Sequence, residues 1–112
     1  MLGGTSMSNC VSILVVSEAE SYRDRTLDLA SIQGWRIRPA ENYAQALAQL
    51  ADGQFDVVLI DSIHSQINQF LDLIHIQEDQ VFLAVGPDAL DEGLAELYRY
   101  CLRIEQSERV LH

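Results

Sequence analysis

Lysine is missing altogether from this chain of 112 residues: its basic side chains are seven arginines, set against seventeen acidic residues for a formal charge of −10. Such a surface repels a phosphodiester backbone, so direct contact with nucleic acid is not expected. Only two cysteines occur, Cys10 and Cys101, near opposite ends and in no CxxC or zinc-ligand spacing. They read as two small buried hydrophobes of a reducing compartment. The glycines form no GxGxxG or GxxxxGK[ST] loop and no G-x-S-x-G elbow, which leaves the common phosphate cradles and the hydrolase nucleophile without a sequence basis. No apolar run approaches the roughly 18 residues of a membrane helix. The opening MLGGTSMSN also lacks the basic flank and long apolar region of a secretory signal, and a cytoplasmic location is expected.

A hydrophobic content of 48% is enough for one domain with one core. Short runs rich in β-branched residues, Val11 to Val16, Val57 to Ile60 and Val81 to Val85, read as buried strands. Trp35 to Arg38 and Tyr100 to Ile104 alternate more and read as edge strands. Helical stripes lie between them. Tyr43, Leu47 and Leu50 form one, Ile67, Phe70, Leu71 and Ile74 a second, and Leu90, Leu94, Leu97 and Cys101 begin a third. A helix from about Glu20 to Gln33 ends at Gly34, Asn42 with Gln45 reads as a capping pair, and Pro87-Asp88 as a helix entry. Alternation of this kind predicts a parallel sheet with right-handed crossovers and helices on both faces. Residues 1–9 read as a loose leader, 10–106 as the domain, and 107–112 as the start of a truncated helix or linker.

Functional groups of an open parallel sheet collect at the carboxyl ends of its strands. Those ends carry Ser17 and Glu18, Asp61, Gly86, and a region near Arg103 to Glu105. With the fragments ILVVSEAE, FDVVLIDS and VFLAVGPD in these places, the chain resembles a receiver domain of bacterial response regulators over residues 11–106. The resemblance implies a flavodoxin-like (βα)5 fold, a five-stranded parallel sheet in order 2-1-3-4-5, here with the fifth helix truncated or missing. It also implies a phosphoacceptor aspartate ending the third strand, two acids after the first strand that hold Mg²⁺, a hydroxyl residue after the fourth strand and a lysine after the fifth. Mg²⁺ takes oxygen ligands and shields the carboxylate from the incoming phosphoryl charge.

Residue by residue, that set is incomplete. Asp61 stands at the acceptor position and Glu18 at the second acidic one, but Ser17 replaces the first acid and Gly86 the hydroxyl residue. No lysine exists; Arg103 approaches the same place, yet a planar guanidinium does not replace a compact ammonium. Glu18 and Asp61 make at best a weak Mg²⁺ site. Ser17 with Glu20 has the S-x-x-E spacing of a capping box, and Ser17 reads as a cap or as simple loop polarity, the other reading being a holder of metal-bound water. Asp61 reads either as a polar residue where a buried strand emerges or as a residual acceptor. His64, three residues on, suggests a metal pair without a third ligand and otherwise reads as a loop histidine.

These readings predict a degenerate receiver that is not an enzyme: a phosphorylation-independent interaction and dimerisation module of a bacterial signalling or transcription regulator. The alternative is a phosphorylatable receiver that switches through Asp61 with Mg²⁺; a small flavin or nucleotide enzyme is a third reading. A missing fifth helix would leave part of one sheet face bare, and bare apolar faces associate. A homodimer through Leu94, Leu97, Tyr98, Tyr100 and Leu102 is therefore expected, with an output domain or another signalling protein as the further partner.

Overall fold

Val11 to Val16 alternate between two environments, and the architecture follows from that period of two. The computed structural model describes residues 11–77 and 80–110, with side chains to residue 106. Strands β1 (Ser12–Val16), β2 (Arg36–Ala40), β3 (Val57–Asp61) and β4 (Phe82–Val85) form a four-stranded parallel sheet in the order β2-β1-β3-β4. Helices α1 (Glu20–Gln33), α2 (Tyr43–Asp52) and α3 (Ile67–Ile76) connect them, and α4 (Leu90–Val110) follows β4 through a 3-10 turn at Pro87–Ala89. Ile13, Val15, Val57 and Leu59 point to the face shared by α1 and α4. Leu14, Val16, Val58 and Ile60 point to the face shared by α2 and α3.

Local chemistry sets most boundaries. Gly34 ends α1 in the left-handed conformation at φ 75°, as the sequence predicts. Asn42 caps α2 by accepting from the Gln45 N–H at 2.8 Å, while the Gln45 side chain accepts from the Glu41 N–H. The α3 stripe differs in detail: Phe70 and Leu73 are buried, whereas Leu71 is 46% exposed.

Residues 100–104 are not a fifth strand; they continue α4. Tyr98, Tyr100, Leu102 and Ile104 do alternate, but each is only half-buried. Leu90, Leu97 and Cys101 recur at helical spacing and are buried, and no glycine or proline follows Gly93 to stop the helix. Running back across the sheet, α4 brings Glu105 to the start of β2, where Trp35 Nε1 donates to Glu105 Oε2 at 3.0 Å and the Trp35 ring meets Tyr98 at 5.9 Å. The face expected to be bare beside α1 is thus covered by α4 itself. Leu97 lies wholly inside that core, and Leu94, Tyr98, Tyr100 and Leu102 pack against it, so the surface expected for dimerisation is largely spent on the fold. Cys101 is buried in the same layer, where desolvation and then the nearby Asp56 and Glu105 charges push its thiol up to about 12. Cys10 and the expected leader lie outside the described residues.

Close approach of α4 to β4 depends on Gly93. A Cβ at that position would meet Val85 Cγ1 at 2.5 Å and Cγ2 at 2.9 Å. Glycine to alanine in a helix normally stabilises by about 1 kcal/mol, but a β-branched strand residue cannot swing away, and overpacking costs about 1–3 kcal/mol. The clash wins: Gly93→Ala is expected to lower stability in urea unfolding. In the Val85→Ala background the cost is expected to shrink, with the remaining Cβ contact at 3.1 Å still tight, a coupling that a double-mutant cycle measures.

Candidate functional site

At the carboxyl edge of the sheet the loops after β1, β2 and β3 converge, and their polar side chains bind one another. Asp61 ends β3 at 3% exposure. Its Oδ2 accepts from the Ser17 hydroxyl at 2.7 Å and its Oδ1 from the Ile63 N–H at 3.1 Å. Ser17, also buried, accepts in turn from the Ala19 N–H at 3.0 Å. The expected capping box is not formed: Ala19 is the N-cap of α1 and contributes no side-chain cap. Ser17 lies two residues too early for that role, and its hydroxyl closes a local turn while donating its proton to the carboxylate.

Glu18 faces the β3–α3 loop instead of Asp61. It accepts from the Ser65 hydroxyl at 2.5 Å and from the Ser65 N–H at 3.1 Å. These bonds, the hydroxyl first, hold its pKa below the usual glutamate value. A lowered carboxylate contributes stability above its unfolded pKa and loses it as pH falls through the folded one; on this exposed group the contribution is small.

His64 lies in the β3–α3 loop, as the sequence reading has it, but it is buried there and not open to a metal. It is 2% exposed. Its Nδ1 accepts from the Gln66 N–H at 2.9 Å, which puts the proton on Nε2, and Nε2 donates to the Glu41 carbonyl at 2.7 Å. The ring stands edge-on to Phe70 at 5.4 Å. Arg23 completes the stitching, with Nη1 donating to the Ser17 carbonyl at 2.7 Å and Nη2 reaching Glu41 at 3.5 Å.

Gly86 is where the sequence places it, immediately after β4 and beside the residue following Asp61. A Cβ on Gly86 would sit 2.9 Å from Ser62 Oγ. Ser62, in the turn after β3, thus stands against Gly86 and leaves a side chain at that position little room. Tyr22 reaches the same edge from α1, donating its phenol to the Val85 carbonyl at 2.6 Å. Burial, and then the Asp61 charge, push that phenol above its ordinary pKa. Arg103 does not approach: it lies exposed on α4, two residues before Glu105, which bonds Trp35 at the opposite edge of the sheet.

Ser17, Glu18, Asp61 and Gly86 were legible in the sequence; Tyr22, Arg23, Ser62 and Ser65 were not. The S-E-A-E and D-S-I-H-S runs carry these hydroxyls openly, but no spacing rule states that Ser17 finds Asp61 or that Ser65 finds Glu18 across 44 and 47 positions of chain.

The residues present do not fit Mg²⁺. An octahedral cation wants several oxygens converging on it, whereas Glu18 turns away from Asp61 to both Ser65 donors and Ser17 brings Asp61 a hydroxyl proton in place of a second carboxylate. Among the described residues no three of His, Cys, Asp and Glu gather as a metal-ligand group, and no buried side-chain nitrogen or oxygen lacks a partner. Nor is any described helix long and apolar enough to cross a membrane.

No family model matches the chain, and no curated protein and no solved structure is significantly similar to it.

Proposed function

We propose that the chain is a receiver-like domain without a phosphoryl switch, serving as a phosphorylation-independent protein-interaction module in a bacterial signalling or transcription regulator. The observation that carries this reading is the Ser17 hydroxyl seated on Asp61 at 2.7 Å, in a chain that has no lysine. A carboxylate becomes a phosphoryl acceptor when a divalent cation offsets the approaching charge and an ammonium holds the product. Here a neutral hydroxyl satisfies the carboxylate, and no ammonium side chain can enter the site. The sheet order β2-β1-β3-β4 is that of the first four strands of the flavodoxin-like fold, which supports the fold part of the reading.

A module of this kind acts through surfaces that do not change with phosphorylation. Its partner is an output domain or another signalling protein. Association of two copies through α4 is the weaker form of the proposal, because that helix already covers the core beside α1.

Intact-mass measurement after incubation with Mg²⁺ and a small acyl phosphate tests the reading. The unmodified mass is expected. A stoichiometric phosphoryl adduct that disappears in Asp61→Asn would return the assignment to a switch through Asp61.

A further inference from the structure

The two edges of the sheet are not alike. On β2, Arg36 and Arg38 are exposed. The Arg36 N–H donates to Val11 and the Ala40 carbonyl accepts from Ser17, so position 39, which alternates with them, faces outward, and there proline supplies no donor. Charges and proline are the usual guards of an edge strand. β4, with sequence FLAV, has neither.

The register of β4 also identifies which of its groups are free. Val58 N–H donates to the Val81 carbonyl and Ser62 N–H to the Val85 carbonyl. In a parallel pair the backbone groups of alternate residues turn the same way, so positions 81, 83 and 85 face β3 while Phe82 and Ala84 present N–H and C=O outward. Among the described residues no strand lies beyond them. A cleft of about 620 Å³ opens beside the C-terminal end of this edge, between Ala84, Gly86 and the α4 residues Gly93, Glu92, Glu96 and Arg99. Its charge is acidic: Arg99 is paired with Glu96 on its own helix, which leaves Glu92 uncompensated in a chain of charge −10.

We infer that the β4 edge is a strand-addition site for an extended segment of a partner protein flanked by basic residues. Backbone bonding to Phe82 and Ala84 provides the affinity, and the acidic rim selects the flanks. A second copy of the chain is disfavoured as occupant, because two bodies of charge −10 repel. The inference rests on the reading of the chain as an interaction module; its readouts are binding and not phosphorylation, so the two fail separately.

The probe is a fluorescein-labelled peptide of alternating valine and threonine with a lysine at each end, followed by fluorescence anisotropy against the full chain. Saturable binding is expected, weakening about tenfold or more between about 50 and 500 mM salt. Ala84→Pro removes one outward N–H without touching the β3 ladder, and Glu92→Lys reverses the rim; each is expected to weaken binding about tenfold with an unchanged melting curve. The inference is overturned by absence of saturable binding, by equal binding of the same peptide flanked with glutamates, or by wild-type affinity in both variants. It is equally overturned if sedimentation shows the chain pairing with itself through this edge, self-association that strengthens with salt and is abolished by Ala84→Pro.

Discussion

Replacing Ser17 with aspartate is expected to destabilise the chain by about 3 kcal/mol in chelator at neutral pH, and millimolar Mg²⁺ to return most of that loss. The wild-type hydroxyl donates to a carboxylate at 3% exposure, and a hydrogen bond to a charged group contributes about 1.5–3 kcal/mol. The Ser17→Asp change removes that donor and sets a second negative charge against the first, which the neighbouring Arg23, already engaged with the Ser17 carbonyl and Glu41, offsets only in part. A divalent cation then gains the oxygen ligands that the wild-type site does not offer. Bound at about 100 times its Kd it contributes about 2.7 kcal/mol. Urea unfolding with and without Mg²⁺ measures both arms. Ser17→Ala is the control: it loses about 1.5–3 kcal/mol and regains nothing with Mg²⁺. Should the wild-type chain itself gain stability from Mg²⁺ to the same degree, the hydroxyl is not what keeps the cation out and the proposed function falls with it.

Leu97→Ala carries the second large effect, a loss of about 3 kcal/mol, within the range of about 2–5 kcal/mol found when a buried leucine is truncated. Leu97 is fully buried between α4 and the sheet, in the layer that also holds Leu59, Trp35 and Cys101. In a domain of this size the change lowers Tm by roughly 10–20 °C. The shift is expected to be the same at low and high protein concentration, because the contact lies within one chain. On a dimer face the same substitution would change association and leave the unfolding of the monomer almost untouched. A concentration-dependent loss would therefore put α4 back on the surface.

The behaviour of residues 98–104 shows where a one-dimensional reading stops. Two periods coexist there, an alternation of Tyr98, Tyr100, Leu102 and Ile104 and a helical recurrence of Leu90, Leu94, Leu97 and Cys101. Periodicity cannot rank them, since each is a valid amphipathic pattern. What ranks them is the demand for cover: Val11, Ile13, Val15, Val57 and Leu59 need a partner layer beside α1, and α4 provides it. A strand at the same residues would have paired an edge and left that apolar area in water, and area removed from water is the larger contribution to stability.

The candidate site divides in the same way. That Ser17, Glu18, Asp61 and Gly86 meet at one edge follows from strand ends in a parallel sheet, and the absence of lysine needs no coordinates. Which hydroxyl satisfies which carboxylate depends on side-chain geometry across loops distant in sequence. Hence Ser17 turns out to be a donor to Asp61 and not a helix cap, and Ser65 takes both oxygens of Glu18.

Sequence alone determined the buried strands β1 and β3, the stop at Gly34, the helix entry at Pro87, the acidic character and the missing ammonium, because each is a local or compositional property; Val81 to Val85, read there as a third buried strand, is the half-buried edge strand β4. Tertiary structure alone decided that α4 runs through Ile104, that one sheet edge is guarded and the other open, and that Asp61 is already satisfied. Those outcomes are set by which surfaces must be buried together, a competition among distant segments that no single stretch of chain contains.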